Sequence, residues 1–166
     1  MTMACSDRLF AIARLILRAD DRAADAVQDA LLQAWLDIRG LKDPDRFDAW
    51  VYRLLVRACY RSAGEHRRRA VTEIDLGPAS GPTTPDAQRQ IAVQDQLARG
   101  FERLSREQRA VIVLHHYAGL SLVEAAAVLQ IPLGTMQSRL SRALRAMRAA
   151  IEADDRLPGL VEVPLA

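Results

Sequence analysis

Residues 76–86 read LGPASGPTTPD, with three prolines and two glycines in eleven positions. Each proline removes an amide donor and clashes with the preceding turn, so no helix runs through this stretch. It reads as part of a linker, assigned to 70–86. The linker divides the 166-residue chain into a half over 1–69 and a half over 87–153, with a tail over 154–166. Each half has the size of one small domain. Half the residues are hydrophobic but only 5% are aromatic, with alanine and leucine dominant. That composition favours helices packed by aliphatic side chains over sheets. The expected fold is therefore all-α: two small helical domains joined by a flexible linker.

Apolar spacing fills in the helices. In the first half, helices are expected over 7–18, with Leu9, Ile12, Ala13 and Ile16 facing the core, and over 21–39, with Val27, Leu31, Ala34 and Ile38 facing it and Gly40 as C-cap. Asp43 followed by Pro44 is an N-cap with proline in the first turn. It opens a third helix running to about Arg61, with Phe47, Val51, Leu54, Leu55 and Ala58 on one face. In the second half, helices are expected over 86–104, from Ser105 to Gly119, over 121–129 and over 134–151. Ser105 with Gln108, and Ser121 with Glu124, have capping-box spacing.

The net charge of +2 is unevenly spread. Residues 20–48 sum to −4, 49–69 to +5, 70–86 to −3 and 125–151 to +4. Two basic blocks among acidic stretches suit two contacts with a polyanion, or two solvated helix faces. Of the 23 basic residues, 22 are arginine and one is Lys42. No apolar run approaches the 18 or so residues of a membrane span, and the N-terminus carries no secretion-signal pattern, so membrane insertion is not expected. Cys5 and Cys59 are not spaced as metal ligands, and adjacent His115 and His116 point about 100° apart on a helix. No metal, cofactor or enzymatic activity is expected: the chain has no glycine-rich phosphate loop, nucleophile elbow or evident acid pair.

The most informative stretch is 121–148, a short helix, a tight turn at Gln130-Ile131-Pro132 and a longer helix, which is helix-turn-helix spacing. Ala126 is small where two helices must approach closely, and Ile131 plugs the turn. With Leu140 at the core centre, Met136, Ala143, Leu144 and Met147 fall within about 60° of it. Thr135, Ser138, Arg142 and Arg145 fall opposite, flanked by Arg139 and Arg148. Hydroxyls and arginines on such a face reach base edges in a major groove; the alternative is a helical hairpin with a solvated basic face. Gln130 stands where such turns usually have glycine, and a positive φ there costs roughly 1 kcal/mol.

Two further faces stand out. Trp50 shares one flank of the third helix with Arg57, Arg61 and Gly64, with Arg53 close by and Arg67, Arg68 and Arg69 extending the stripe. An aromatic beside arginines suits single-stranded DNA; alternatively Trp50 caps the core. On the second helix, Asp25, Asp29, Leu32 and Leu36 lie off the core stripe, as a protein-binding face or as a contact within the domain.

These residues resemble those of the extracytoplasmic-function sigma factors, the smallest members of the sigma-70 class. DAVQDALLQAW (25–35) is similar to that family's polymerase-binding helix, FDAWVYRLLVRACY (47–60) to its −10-reading and melting element, and 104–148 to its −35-binding domain. The resemblance covers about 7–69 and 87–152. It implies a sigma factor that binds core RNA polymerase and directs promoter recognition and initiation, with a helix-turn-helix in the second domain. Asp25, Gln28, Asp29 and Leu32 would grip the polymerase. Phe47, Trp50, Arg53, Arg57 and Arg61 would hold the −10 strand. Thr135, Gln137, Ser138, Arg139 and Arg142 would sit in the −35 major groove. Core polymerase, promoter DNA and an anti-sigma factor are the implied partners, and the cytoplasm the implied location. Departures from the family pattern are Arg57 and Arg61, where many members have asparagine and aspartate, and Gln137, where lysine is common. A 17-residue linker reaches at most about 58 Å. A promoter spacer of about 17 base pairs is also about 58 Å. The rival readings are a stand-alone helix-turn-helix regulator, which would need a dimer seam or sensor domain, and a protein-binding adaptor.

Overall fold

A computed structural model describes residues 2–41, 43–69 and 97–155. The expected linker over 70–86, the start of the expected 86–104 helix and the tail beyond 155 lie outside the described residues. The first half is three helices: α1 (Thr2–Leu17), α2 (Asp20–Asp37) and α3 (Phe47–Arg69). The second half has α4, described over 97–102, then α5 (Arg106–Ile112), α6 (Leu122–Leu129) and α7 (Leu133–Asp155). No described residue is in a strand.

The first half closes around Leu9, Ile12, Ile16, Val51 and Leu55, which are almost wholly buried. Burying side chains of this size stabilises by about 1.5–3 kcal/mol each. α1 ends where Arg18 turns left-handed at φ 59°, its amide bonded to the Arg14 carbonyl at 2.7 Å. α2 differs from the expected pattern. Its buried stripe is Ala23, Ala26, Val27, Ala30 and Ala34, whereas Leu31 and Ile38 are 41% and 45% exposed. Small alanines let α2 lie close to α1 and α3, so the larger side chains are turned outward. Nor does Gly40 cap the helix in a left-handed conformation: α2 runs into a single 3-10 turn, Ile38–Gly40, closed by the Leu41 amide on the Ile38 carbonyl. Asp43 caps as expected, its carboxylate accepting from the Asp45 amide at 3.1 Å, but the turn it opens is a 3-10 turn, Pro44–Arg46, ahead of α3. α3 continues past Arg61 to Arg69.

In the second half both capping boxes form. Ser105 and Gln108 exchange hydrogen bonds at the start of α5, and Ser121 and Glu124 do so at the start of α6. α5 passes into a wider π turn, Val113–Tyr117, and stops at Gly119, whose φ of +77° suits glycine. Gly100 is buried where α4 meets α7; a Cβ there would lie 3.3 Å from Met147 Cγ. Met136, Leu140 and Ala143 hold α7 against α5 and α6. Leu144, expected in that core, is 37% exposed, because the buried stripe passes to its Ala143 side.

The two halves also touch: α1 packs on α5 and its π turn, and α3 packs on α6.

Candidate functional site

Three groups of side chains are built on the outer faces of these helices. The first is on α7. The turn before it forms because Gln130 takes a left-handed conformation, φ 55° and ψ 44°, and its amide and that of Ile131 close on the Ala127 and Ala126 carbonyls. Ala126 is buried and Ile131 half-buried, as their turn and plug positions require. Gln137, Ser138 and Arg142 are exposed, and Thr135 and Arg139 half-buried. Ser138 Oγ donates to the Thr135 carbonyl at 3.1 Å, and Arg142 Nε to the Ser138 carbonyl at 3.2 Å. These bonds keep the hydroxyl and the guanidinium on the helix surface. Arg145 and Arg148 continue the same exposed side.

The second group opens α3. Phe47 and Trp50 stand one turn apart, ring centroids 6.0 Å and planes tilted by 46°. Trp50 and Arg53 are half-buried, while Phe47, Arg57 and Arg61 are exposed. The last two already have protein partners. Arg57 Nη2 donates to Gln130 Oε1 at 2.8 Å, and Arg61 lies 3.8 Å from the Asp29 carboxylate. Gly64 and the arginines at 67–69 lie on the helix, but their side chains are outside the described set.

The third group is on α2. Asp25, Gln28, Asp29 and Leu32 are all exposed. Leu32 is 56% and Leu36 58% exposed, and between them Trp35 is 74% exposed. A tryptophan this bare is rare on a surface with no partner. Trp35 lies on neither the expected core stripe nor the face of Asp25, Asp29, Leu32 and Leu36, although an aromatic between two off-core leucines is a usable signal. A groove of about 750 Å³ adjoins this face, walled by Phe10, Val27, Leu31 and Leu32 and rimmed by Ser6, Asp7 and Gln28.

Behind α3, burial pushes the Cys59 thiol and the Tyr60 phenol each up to about 12. Cys59 is therefore a packing residue without thiolate character. Among the described residues no cluster of His, Cys, Asp or Glu could hold a metal ion, and no helix is long and apolar enough to cross a membrane.

The first half matches, over residues 1–70, the family model for sigma-70 region 2. The second matches, over 94–147, that for sigma-70 region 4. The ECF RNA polymerase sigma factor EcfG of Rhodopseudomonas palustris is 30% identical over 134 residues, covering 81% of this chain and 74% of that protein. The chain belongs to the extracytoplasmic-function sigma factors. It is thus a transcription initiation factor that binds core RNA polymerase and directs promoter recognition, and the stand-alone regulator gives way as a reading because the match runs through both halves. Two solved structures are similar. The sigma factor RpoE, in complex with the anti-sigma factor NepR from Bartonella quintana, superposes with a TM-score of 0.72 at 25% identity, over 92% of this sigma factor and 94% of that chain. CnrH, in complex with the cytosolic domain of CnrY, gives 0.59 at 27% identity over 89% and 82%.

Proposed function

We propose that this sigma factor divides its work among the three exposed faces. The α2 face of Asp25, Gln28, Asp29 and Leu32, widened by Trp35 and Leu36, engages core polymerase. The opening of α3, with Phe47, Trp50 and Arg53, receives the unpaired −10 strand, and Arg57 and Arg61 join once freed from Gln130 and Asp29. Thr135, Gln137, Ser138, Arg139 and Arg142 on α7 enter the −35 major groove. The halves over 1–69 and 87–153 are then the functional units, and 70–86 the tether between the two promoter elements.

The observation that carries this reading is the contrast in chemistry between exposed faces. Bare leucines and a tryptophan beside acids gain by meeting protein and are repelled by phosphate. Hydroxyls and arginines on α7 have the opposite preference. Stacking on Trp50 would hold an unstacked base while arginines hold the strand. An anti-sigma protein is a further partner, since both similar solved structures are complexes of that kind. The factor performs no catalytic step of its own, and it acts in the cytoplasm, where polymerase and chromosome are. The test is co-purification with core polymerase followed by transcription from genomic fragments. Recovery of a core complex that initiates at discrete sites is expected; failure to bind core polymerase would overturn the reading.

A further inference from the structure

Of the five α7 side chains assigned to the −35 groove, four are partly occupied within the protein. Ser138 Oγ donates to the Thr135 carbonyl at 3.1 Å and Arg142 Nε to the Ser138 carbonyl at 3.2 Å. Thr135 and Arg139 are half-buried. The fifth, Gln137, is exposed, and its amide has no hydrogen-bond partner among the described residues. It is the fifth residue of α7, close to the N-terminal end by which a recognition helix meets base edges.

The space around Gln137 is open. Gln137, Ser141 and Arg145 follow one another at four-residue steps, so they share one side of α7, and all three are exposed. A helical side chain leans back over the turn before it. For Gln137 that turn holds Gly134, where an added Cβ would meet nothing within 4 Å. No contact inside the protein therefore asks for glycine, and glycine weakens a helix. Bare backbone at Gly134 and a short side chain at Ser141 leave clearance for a body outside the protein on either side of the amide.

The chemistry of the amide narrows what that body is. Gln137 carries no charge, so it releases no counterion and gains little from a phosphate. It presents one donor and one acceptor in a plane. In the major groove adenine presents the complementary pair, the N7 acceptor and the N6 donor, whereas guanine presents two acceptors. The lysine common at this position offers donors only and suits guanine or phosphate.

We propose that Gln137 is a specificity-determining residue: its side-chain amide reads one adenine of the −35 element, accepting from N6–H and donating to N7. This rests on the assignment of α7 to the −35 groove. Arg145, two turns further along the same side, supplies the charge that an amide lacks.

The test reconstitutes the full chain with core polymerase and selects transcribed promoters from a pool randomised across the −35 element. The parent should require adenine at one position, by about tenfold over the other bases. Gln137→Ala should lose that preference and keep the parent's preferences elsewhere. Gln137→Lys should prefer guanine at the same position. Replacing the adenine by 7-deazaadenine, which lacks the N7 acceptor, should weaken the parent and leave Gln137→Ala indifferent. Ala and Lys are good helix formers and the site is exposed, so melting temperatures should match the parent. Two results would overturn the proposal: a Gln137→Ala variant with the parent's preference at every position, or one whose transcription falls equally on all sequences. A parent that initiates at discrete promoters with no −35 preference at all would overturn the assignment of α7, and this proposal with it.

Discussion

α2 and α7 are built alike and offer opposite surfaces. Each buries one narrow stripe of small and aliphatic side chains, Ala23 to Ala34 in α2 and Met136 to Ala143 in α7, and turns its other side to solvent. On α2 that side carries Leu32, Trp35 and Leu36 among Asp25, Asp29 and Asp37; on α7 it carries Ser138, Arg142, Arg145 and Arg148. The stripe decides how each helix packs, and the outer side decides what it can meet. Association through α2 should depend on apolar burial and change little with salt. Association through α7 should release counterions and weaken steeply with salt.

The largest effect tests the α2 side. Asp29→Arg with Leu32→Ala removes a central apolar anchor and inverts a charge beside it. Loss of about 2 kcal/mol or more is expected, roughly a 30-fold fall in affinity for core polymerase. The melting temperature should hardly move, since both side chains point off the core. Retained affinity in a pull-down with core enzyme would break the contrast at its first term.

The opening of α3 sits between the two chemistries, because Trp50 is aromatic and its neighbours Arg53 and Arg57 are basic. Trp50→Ala should lower open-complex formation by about tenfold or more, as base–aromatic stacking is worth about 1–3 kcal/mol. A template with a preformed bubble should rescue the variant. Trp50 is half-buried, so a purely structural role predicts instead a lowered melting temperature and no rescue. Permanganate footprinting on both templates, with thermal melts in parallel, separates the two.

On α7, Arg139→Ala and Arg142→Ala should spare polymerase binding and weaken promoter binding. A bidentate base contact predicts a loss of about 1–3 kcal/mol of discrimination at one base pair. A phosphate contact predicts a uniform loss and a salt slope flatter by about one unit. Wild-type transcription from both variants would remove this helix from the −35 element.

The smallest effect, absent at neutral pH, concerns the buried groups of α3. The Cys59 thiol is raised from 9.0 to about 12 and the Tyr60 phenol from 10.0 to about 12, both chiefly by burial. The folded protein thus keeps protons that the unfolded chain releases. Their contribution to stability is fully present below about pH 9 and is lost as the pH rises toward 12. Denaturant melts across that range should show the decline, and a Cys59→Ala variant should show a shallower one. Identical profiles would mean the thiol titrates freely in the fold.

Much of the architecture was readable locally. The Ser105–Gln108 and Ser121–Glu124 boxes, the left-handed Gln130 and the small Ala126 are each fixed by interactions within a few residues, and each formed as their spacing requires. The stripe on α2 was misread because a helical wheel weighs Leu31 and Ile38 above alanine, whereas close helix approach rewards the alanines. The π turn at Val113–Tyr117 had no local signal.

The site divides along the same line. The exposed hydroxyl and arginine face of α7 and the off-core acids and leucines of α2 follow from periodicity, because a helix fixes which residues share a side. The state of those residues does not. Arg57 bonds Gln130 across 73 positions, Arg18 pairs with Glu102 across 84, Arg109 reaches Ile16 across 93 and Arg8 reaches Ala118 across 110. Nothing in local spacing encodes such pairs, since they depend on how the two halves pack together. The sequence by itself thus determined the helices, the N-caps at Asp43, Ser105 and Ser121 and the chemistry of the outer faces, all set by short-range backbone and side-chain geometry. Only the tertiary structure decided which of those faces is bare and which is covered, because that depends on long-range packing between surfaces.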